Sequence, residues 1–314
     1  MLLRGSIRPN LVLGLPALLL AVTIALIATI WSRDFFSADN LGNLVNRVLP
    51  LAIVGLGEAV VLFAGRIDLS VGAIVSLSTA ILAVTSTELG WLSIPLALCA
   101  GLACGAFNAV GTILLRINPL IMTLATSAVV KGIALLLLPS PGGEVDYGFY
   151  ENFYRQDQFM GWPLLAIVAI FAAAFVLFGF TRFGRTIYAA GSDGRAAFAN
   201  GVNLPAVDLS VFMISGGLAA IAGIAVGIKI LSGDPLIGDS FTLDAIAAAV
   251  LGGVALQGGR GGVLGVLAGA IALVLIGNAF NMLELNTNLQ QIAKGMIFVA
   301  ALMLFMRGSA RRIA

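Results

Sequence analysis

The chain has 314 residues, 60% of them hydrophobic and only 10% charged, with 17 Lys and Arg, 15 Asp and Glu, and no histidine. Soluble domains carry about a quarter charged residues, so this composition, with a mean hydropathy of +1.07, excludes a water-soluble fold. Apolar stretches of about 20 residues, the length that crosses a bilayer, recur from Leu11 to Met306 and leave no room for a separate soluble domain. Residues 1–314 therefore read as one all-α transmembrane domain. Without histidine a Cys/His metal site cannot form around Cys99 and Cys104, which read as small apolar helix residues.

Met1 to Arg8 carries two arginines ahead of an apolar run that reaches about Trp31. That run is longer than a signal-peptide core and lacks a small-residue cleavage site, so a retained first helix is expected. Ten apolar segments follow in order: 9–31, 44–64, 70–87, 91–114, 119–139, 162–180, 208–230, 243–256, 262–283 and 289–306. An even number puts both termini on one side. If that side is the cytoplasm, its segments receive Arg4, Arg8, Arg66, Arg116, Arg182, Arg185, Arg195, Arg260, Arg307, Arg311 and Arg312. The outer loops then keep chiefly Arg33 and Arg155, with Arg47 and Lys229 near helix ends. Because Lys and Arg set orientation, ten spans with both ends inside are expected.

The segment Gly65-Arg66-Ile67-Asp68-Leu69-Ser70-Val71-Gly72 joins two apolar runs directly yet is too polar to face lipid. Backbone that leaves a helix at membrane depth must be buried in protein or line a watery cavity. Asp68 suits either a helix start, where a carboxylate accepts orphan amide protons, or the solute path. Glu58, inside the second span, is a functional candidate because ionisable groups there are costly; Arg47 and Lys131 are candidate partners. Asn108, Asn118, Thr123, Thr126, Asn278 and Asn281 are neutral polar groups that either bond helix to helix or meet a hydroxylated solute. Asp68 in RIDLSVG and Asp244 in FTLDAIAA, with Lys131-Gly132 and Lys294-Gly295, point to a five-plus-five inverted repeat, an arrangement that places a transport pathway between the halves.

Two loops stand out. The outer one, 140–161, holds Tyr147, Phe149, Tyr150, Phe153 and Tyr154, either an interfacial belt or a docking surface for an extracytoplasmic partner. In the inner one, 181–207, Ser192 or Asp193 can cap a short helix through Phe198 that Gly201 ends. The glycines around Gly252-Gly253 and Gln257 to Gly262 lack the Gly-Lys-Ser/Thr ending of a phosphate loop, so they read as a tight turn and the chain is not expected to bind ATP. An intramembrane aspartyl protease is disfavoured, since Gly-x-Gly-Asp is absent and Leu236-Ile237-Gly238-Asp239 misses the first glycine.

IDLSVG after a second span, INPLIMTL opening a fifth and LDAIAAAVLGGVALQGGRGG late in the chain resemble the ribose-type permeases of bacterial ATP-binding-cassette importers, from about Asn40 to Phe305. FGRTIYAAGSDGRAAFANGVN is similar to the segment that docks on the ATPase in that family. The resemblance implies a type II importer architecture and a non-enzymatic subunit of the bacterial inner membrane that passes a monosaccharide. It implies as partners an ATP-binding-cassette ATPase holding ATP and magnesium, a periplasmic sugar-binding protein, and a second permease copy or paralogue. Gly184, Tyr188, Gly191, Ser192, Asp193, Ala197 and Gly201 are then ATPase-coupling residues. Glu58, Asp68, Ser70, Gly72, Asn108, Asn118, Thr123, Asp244, Asn278 and Asn281 are pathway or motif candidates. Nucleosides, inositol and autoinducer-type furanoses are the alternative solutes, and a secondary transporter the alternative class. The chain departs from the family in having Arg66 where a second glycine is usual, and Glu58 where Gln or Met is common.

Overall fold

The computed structural model describes residues 14–31, 34–154, 161–284, 286, 288–296 and 299. The expectations for Met1 to Arg8, for Arg33 and Arg155, and for the chain end with Arg307, Arg311 and Arg312 lie outside these residues. Among the described residues every regular element is helical, and six helical runs are long and apolar enough to cross a membrane.

Helix α1 (Leu15–Trp31) is apolar on all sides and leaves Ile30 exposed. Helix α2 (Ala38–Phe63) starts six residues before the expected 44, because the Ser37 hydroxyl accepts the Asn40 N–H at 3.2 Å and caps the polar first turn. Helices α3 (Val71–Leu89) and α4 (Ser93–Leu114) form one continuous run that folds back at Gly90, whose φ of 54° lies in the left-handed region. Asn118 and Pro119 start α5 (Pro119–Leu137), with the Asn118 side chain accepting the Leu120 N–H at 2.9 Å.

The 140–161 loop contains a helix not anticipated from its sequence, α6 (Tyr147–Tyr154). Phe149 is buried under it, with its ring centroid 4.6 Å from that of Trp91. After α7 (Trp162–Phe180), the 181–207 loop holds two helices rather than one: α8 (Arg182–Ser192) and α9 (Gly194–Ala199). Helix α10 (Leu204–Ile230) also starts before the expected 208, capped by Asn203 with Pro205 in its first turn. Helix α11 (Asp239–Leu251) has 13 residues, about 20 Å at 1.5 Å each, which is shorter than the bilayer core. Helix α12 (Val263–Met282) matches its apolar run, and 288–296 are helical.

The centre of the bundle is α2 and α10. From Val48 to Phe63 every residue of α2 is buried, and α10 packs against α2, α3 and α4. Helices α5 and α7 lie outside and expose Leu124, Leu136, Leu165 and Val176, apolar surface suited to lipid. A close seam joins α4 to α10. A Cβ on Gly101 would fall 2.5 Å from the Gly216 carbonyl oxygen, and one on Gly105 would strike the Phe212 carbonyl. Small residues four apart let membrane helices approach to backbone contact.

Gly105→Val is expected to lower stability by about 1–3 kcal/mol through overpacking. Gly132→Ala, where a Cβ meets nothing within 4 Å, should stay within about 0.5 kcal/mol. Thermal denaturation of the purified full-length protein in one detergent compares the two.

Candidate functional site

The break between α2 and α3 is built around one carboxylate. Asp68 is fully buried. Its Oδ1 accepts the Ser70 N–H at 2.9 Å and the Ser70 hydroxyl at 2.6 Å, and its Oδ2 accepts the Ser215 hydroxyl at 2.9 Å. Asn108 Nδ2 donates to Ser70 Oγ at 2.8 Å and reaches Asp68 Oδ1 at 3.5 Å. Thr123 Oγ1 accepts the Leu69 N–H at 3.1 Å and contacts the Ile67 carbonyl at 3.4 Å. Glu58, also fully buried, accepts the Asp68 N–H through Oε1 at 3.3 Å, while its Oε2 has no hydrogen-bond partner. Neither cation expected beside Glu58 is there: Arg47 lies at the other end of α2, and Lys131 pairs with Asp239 at 2.6 Å. Beside the cluster Arg66 pairs with Asp208 of α10, N to O 3.3 Å.

These contacts bring Glu58, Asp68, Ser70, Asn108 and Thr123 together and add Ser215. Gly72 lies one turn on, pressed against the Gly238 carbonyl. Asn118 is the cap of α5. Asn278 exchanges side-chain hydrogen bonds with Asn40 at 2.7 and 3.4 Å, tying α12 to the start of α2. Asn281 is exposed.

At the opposite end of α2 a cavity of about 300 Å³ opens between α2, α6, α10, α11, α12 and 288–296. Its polar walls are Asn46, Arg47, Tyr154, Lys229, Ser240, Asp244, Gln290 and Lys294; its apolar walls include Leu51, Phe241, Leu273 and Val274. Asp244 and Lys294 are bonded at 2.6 Å. Pro50 has no N–H to give the Asn46 carbonyl one turn back, which leaves a backbone acceptor at the cavity wall. The rings of Tyr147, Tyr150 and Tyr154 stack at 5.8 and 5.9 Å along α6, and the last of them reaches the cavity. The Tyr154 hydroxyl donates to the Ala225 carbonyl at 3.0 Å, and burial pushes its pKa above the usual phenol value.

The end of the molecule away from the cavity carries α8 and α9. Thr181 caps α8 by accepting the Gly184 N–H at 3.2 Å. Asp193, not Ser192, caps α9 by accepting the Ala196 N–H at 3.0 Å, and Gly201 follows that helix at φ 84°. Tyr188 is buried, its ring centroid 4.7 Å from that of Phe63 and its hydroxyl 3.3 Å from the Gly261 carbonyl it donates to; burial raises its pKa. Gly191 fits where any side chain would strike the Phe63 carbonyl, which itself accepts the Gly259 N–H at 3.0 Å. The glycine-rich turn thus clasps the last turn of α2 and the end of α8. Ala197 is buried, whereas Arg195 and Phe198 point outward from α9.

A family model described as Branched-chain amino acid transport system / permease component matches residues 40–302. The chain belongs to this permease family. The permease is 34% identical over 296 residues to the ribose import permease protein of Haemophilus influenzae, spanning 90% of both chains. It is 34% identical over 294 residues to the ribose import permease protein of Bacillus subtilis, spanning 91% of both. To the D-allose transport system permease protein of Escherichia coli it is 31% identical over 294 residues, 91% of the permease and 89% of that protein. No solved structure matches.

Of the cavity residues, only Asp244 stands among the pathway candidates; Arg47 is expected beside Glu58, Tyr154 in the aromatic outer loop and Lys294 in the repeat. The signal for the others was present. Arg47, Lys229 and Lys294 are ionisable groups within apolar segments, which mark functional positions in membrane proteins, and two of them were exceptions to the arginine bias.

Asp68→Ala in the permease leaves the buried Ser70 and Ser215 donors without an acceptor and should cost about 2–6 kcal/mol, at about 1–3 for each of the two residues. Asp68→Asn keeps an acceptor for Ser70 and can donate to Ser215, so it should lose less than half as much. Denaturation midpoints of the two purified variants give the comparison.

Proposed function

We propose that the permease is the membrane subunit of an ATP-driven bacterial importer of monosaccharides in the inner membrane, crossing it ten times with both termini in the cytoplasm. The observation that carries this reading is membership of the permease family with relatives named for ribose and D-allose import over nine-tenths of the chain. The cavity end then faces the periplasm and receives sugar from a binding protein. The end with α8, α9, Arg66, Arg116, Arg182, Arg185, Arg195 and Arg260 faces the cytoplasm, in keeping with the bias of Lys and Arg toward that side.

The packing supports the inverted repeat. Helix α2 lies against α11 and α12 as α10 lies against α3 and α4, and α11 neighbours α12 as α3 neighbours α4. Exchanging these three pairs of helices leaves this part of the packing unchanged, as two inverted halves require, whereas α1, which packs on α12, and α7, which packs on α2 and α12, do not exchange. The first half would comprise α1 to α5, and the second α7, α10, α11, α12 and the segment from 289.

In this scheme the chain binds no cofactor and catalyses no reaction. ATP and magnesium belong to a partner ATPase, which docks on α8 and α9 of this permease and of a second copy or paralogue. Gly184, Tyr188, Gly191, Ser192, Asp193, Ala197 and Gly201 shape the docking unit. Because Gly191 and Tyr188 rest on Phe63, displacement of α8 is passed to the end of α2, and α2 in turn forms a wall of the outer cavity. The tyrosines of α6 offer stacking faces to a sugar on the way in. Asp68, Ser70, Gly72, Asn108, Thr123 and Glu58 hold the break on which α3 pivots; Asn118, Asn278 and Asn281 serve helix ends and contacts along the route, and Asp244 meets the solute.

The reading is tested in proteoliposomes holding the permease, its ATPase and its binding protein. Ala197→Arg should reduce sugar uptake by about tenfold or more while the ATPase keeps its basal hydrolysis, because a charge replaces a buried methyl group at the docking helix. An ATPase that cannot hydrolyse ATP should abolish uptake. Uptake that persists on a proton or sodium gradient alone would make the permease a secondary transporter.

A further inference from the structure

We propose that the outer cavity is built for a monosaccharide-sized solute bearing an anionic group, selected by Arg47 and Lys229. The inference rests on reading this cavity as the place where the solute enters the permease.

Among the described residues the lining carries three cations, Arg47, Lys229 and Lys294, and one carboxylate, Asp244. Lys294 and Asp244 satisfy one another at 2.6 Å, both half-buried. Among the described residues Arg47 and Lys229 have no carboxylate in ion-pair range. Lys229 sits in the last turn of α10, and the partial negative charge of a helix end offsets only part of one cation. Two positive charges therefore remain on walls contributed by different helices, α2 and α10, facing one cavity.

The hydrogen-bonding inventory points the same way. A neutral sugar presents hydroxyls that both donate and accept, and it is matched by amides, carboxylates and hydroxyls in balance. Arg and Lys only donate. Tyr154 already spends its proton on the Ala225 carbonyl, and one Asp244 oxygen is taken by Lys294. Asn46 through its side chain and its carbonyl, Ser240 and Gln290 suffice to orient hydroxyls, but they give Arg47 and Lys229 no charged acceptor. A carboxylate or phosphate on the solute supplies it, through a charge-assisted bond and a guanidinium fork of matching geometry. The volume of about 300 Å³ is at the small end of ligand sites and admits one sugar ring with such a group. Ribose and allose, for which the relatives are named, are neutral, so this would separate the permease from them.

Saturation-transfer NMR on the full-length permease in lipid nanodiscs tests the proposal directly, without the binding protein's own selectivity. The probes are D-glucose, D-gluconate and D-glucose 6-phosphate at equal concentration. At least one anion is expected to exceed glucose by about fivefold, the scale of one or two partly screened ion pairs. A lead for gluconate identifies a carboxylate, and a lead for the sugar phosphate a phosphate. Raising salt from about 0.1 M to about 1 M shortens the screening length about threefold and should collapse the preference. Arg47→Gln with Lys229→Gln should bring the anion-to-glucose ratio close to one, and Arg47→Lys with Lys229→Arg should restore it. If the Gln pair does not fold, as judged by circular dichroism and gel filtration, the salt series on the unaltered permease decides. Equal transfer to all three probes, insensitive to salt, overturns the anion preference and leaves the cavity as an entry site. No transfer to any probe from folded permease overturns both.

Discussion

The Asp68 carboxylate accepts hydrogen bonds from Ser70, at the start of α3, and from Ser215 on α10, and Asn108 on α4 reaches both it and Ser70. A carboxylate with no water contact is tolerated only where donors surround it, and here those donors come from elements far apart in sequence. Their convergence lets the backbone leave α2 at Ala64, run seven residues without a helical ladder, each buried or half-buried, and enter α3. Thr123 closes the arrangement from α5 by taking the Leu69 N–H. Removing the acceptor would release the junction at which five helices meet.

Several helices are legible as apolar runs because lipid imposes the same demand on every segment that faces it. The 162–180 and 119–139 runs differ from α7 and α5 by two residues at most. Starts were less legible: α2 and α10 extend outward beyond their expected starts because Ser37 and Asn203 cap first turns that lie outside those runs. Helix α6 was hidden in a segment rich in aromatics with Gly148 and Asn152 inside it, although Tyr147, Tyr150 and Tyr154 fall at helical spacing. Helix α8 is masked by the mixed composition of FGRTIYAAGS, yet Gly184, Ile187 and Tyr188 share a buried face.

The candidate sites divide in the same way. Most of the Asp68 cluster was readable as a set of polar groups within apolar context, since each is costly there for the same reason. What could not be read was the pairing: Lys131 goes to Asp239, and Glu58 receives a backbone amide instead of a cation. The cavity was not readable as a unit because its walls come from six segments between Asn46 and Lys294. Only a fold brings two of the stray cations to one place.

The α4–α10 seam sets a limit on how the permease can move. Where Gly101, Gly105 and Gly216 bring backbone onto backbone, there are no side chains to slide over one another or to exchange rotamers. Two helices locked in this way can only travel together, so α4 and α10 act as a single stiff beam. Sliding between helices is left to looser seams such as that of α2 with α11 and α12, where a Cβ on Gly55 would meet side chains at ordinary contact distance and where the cavity lies.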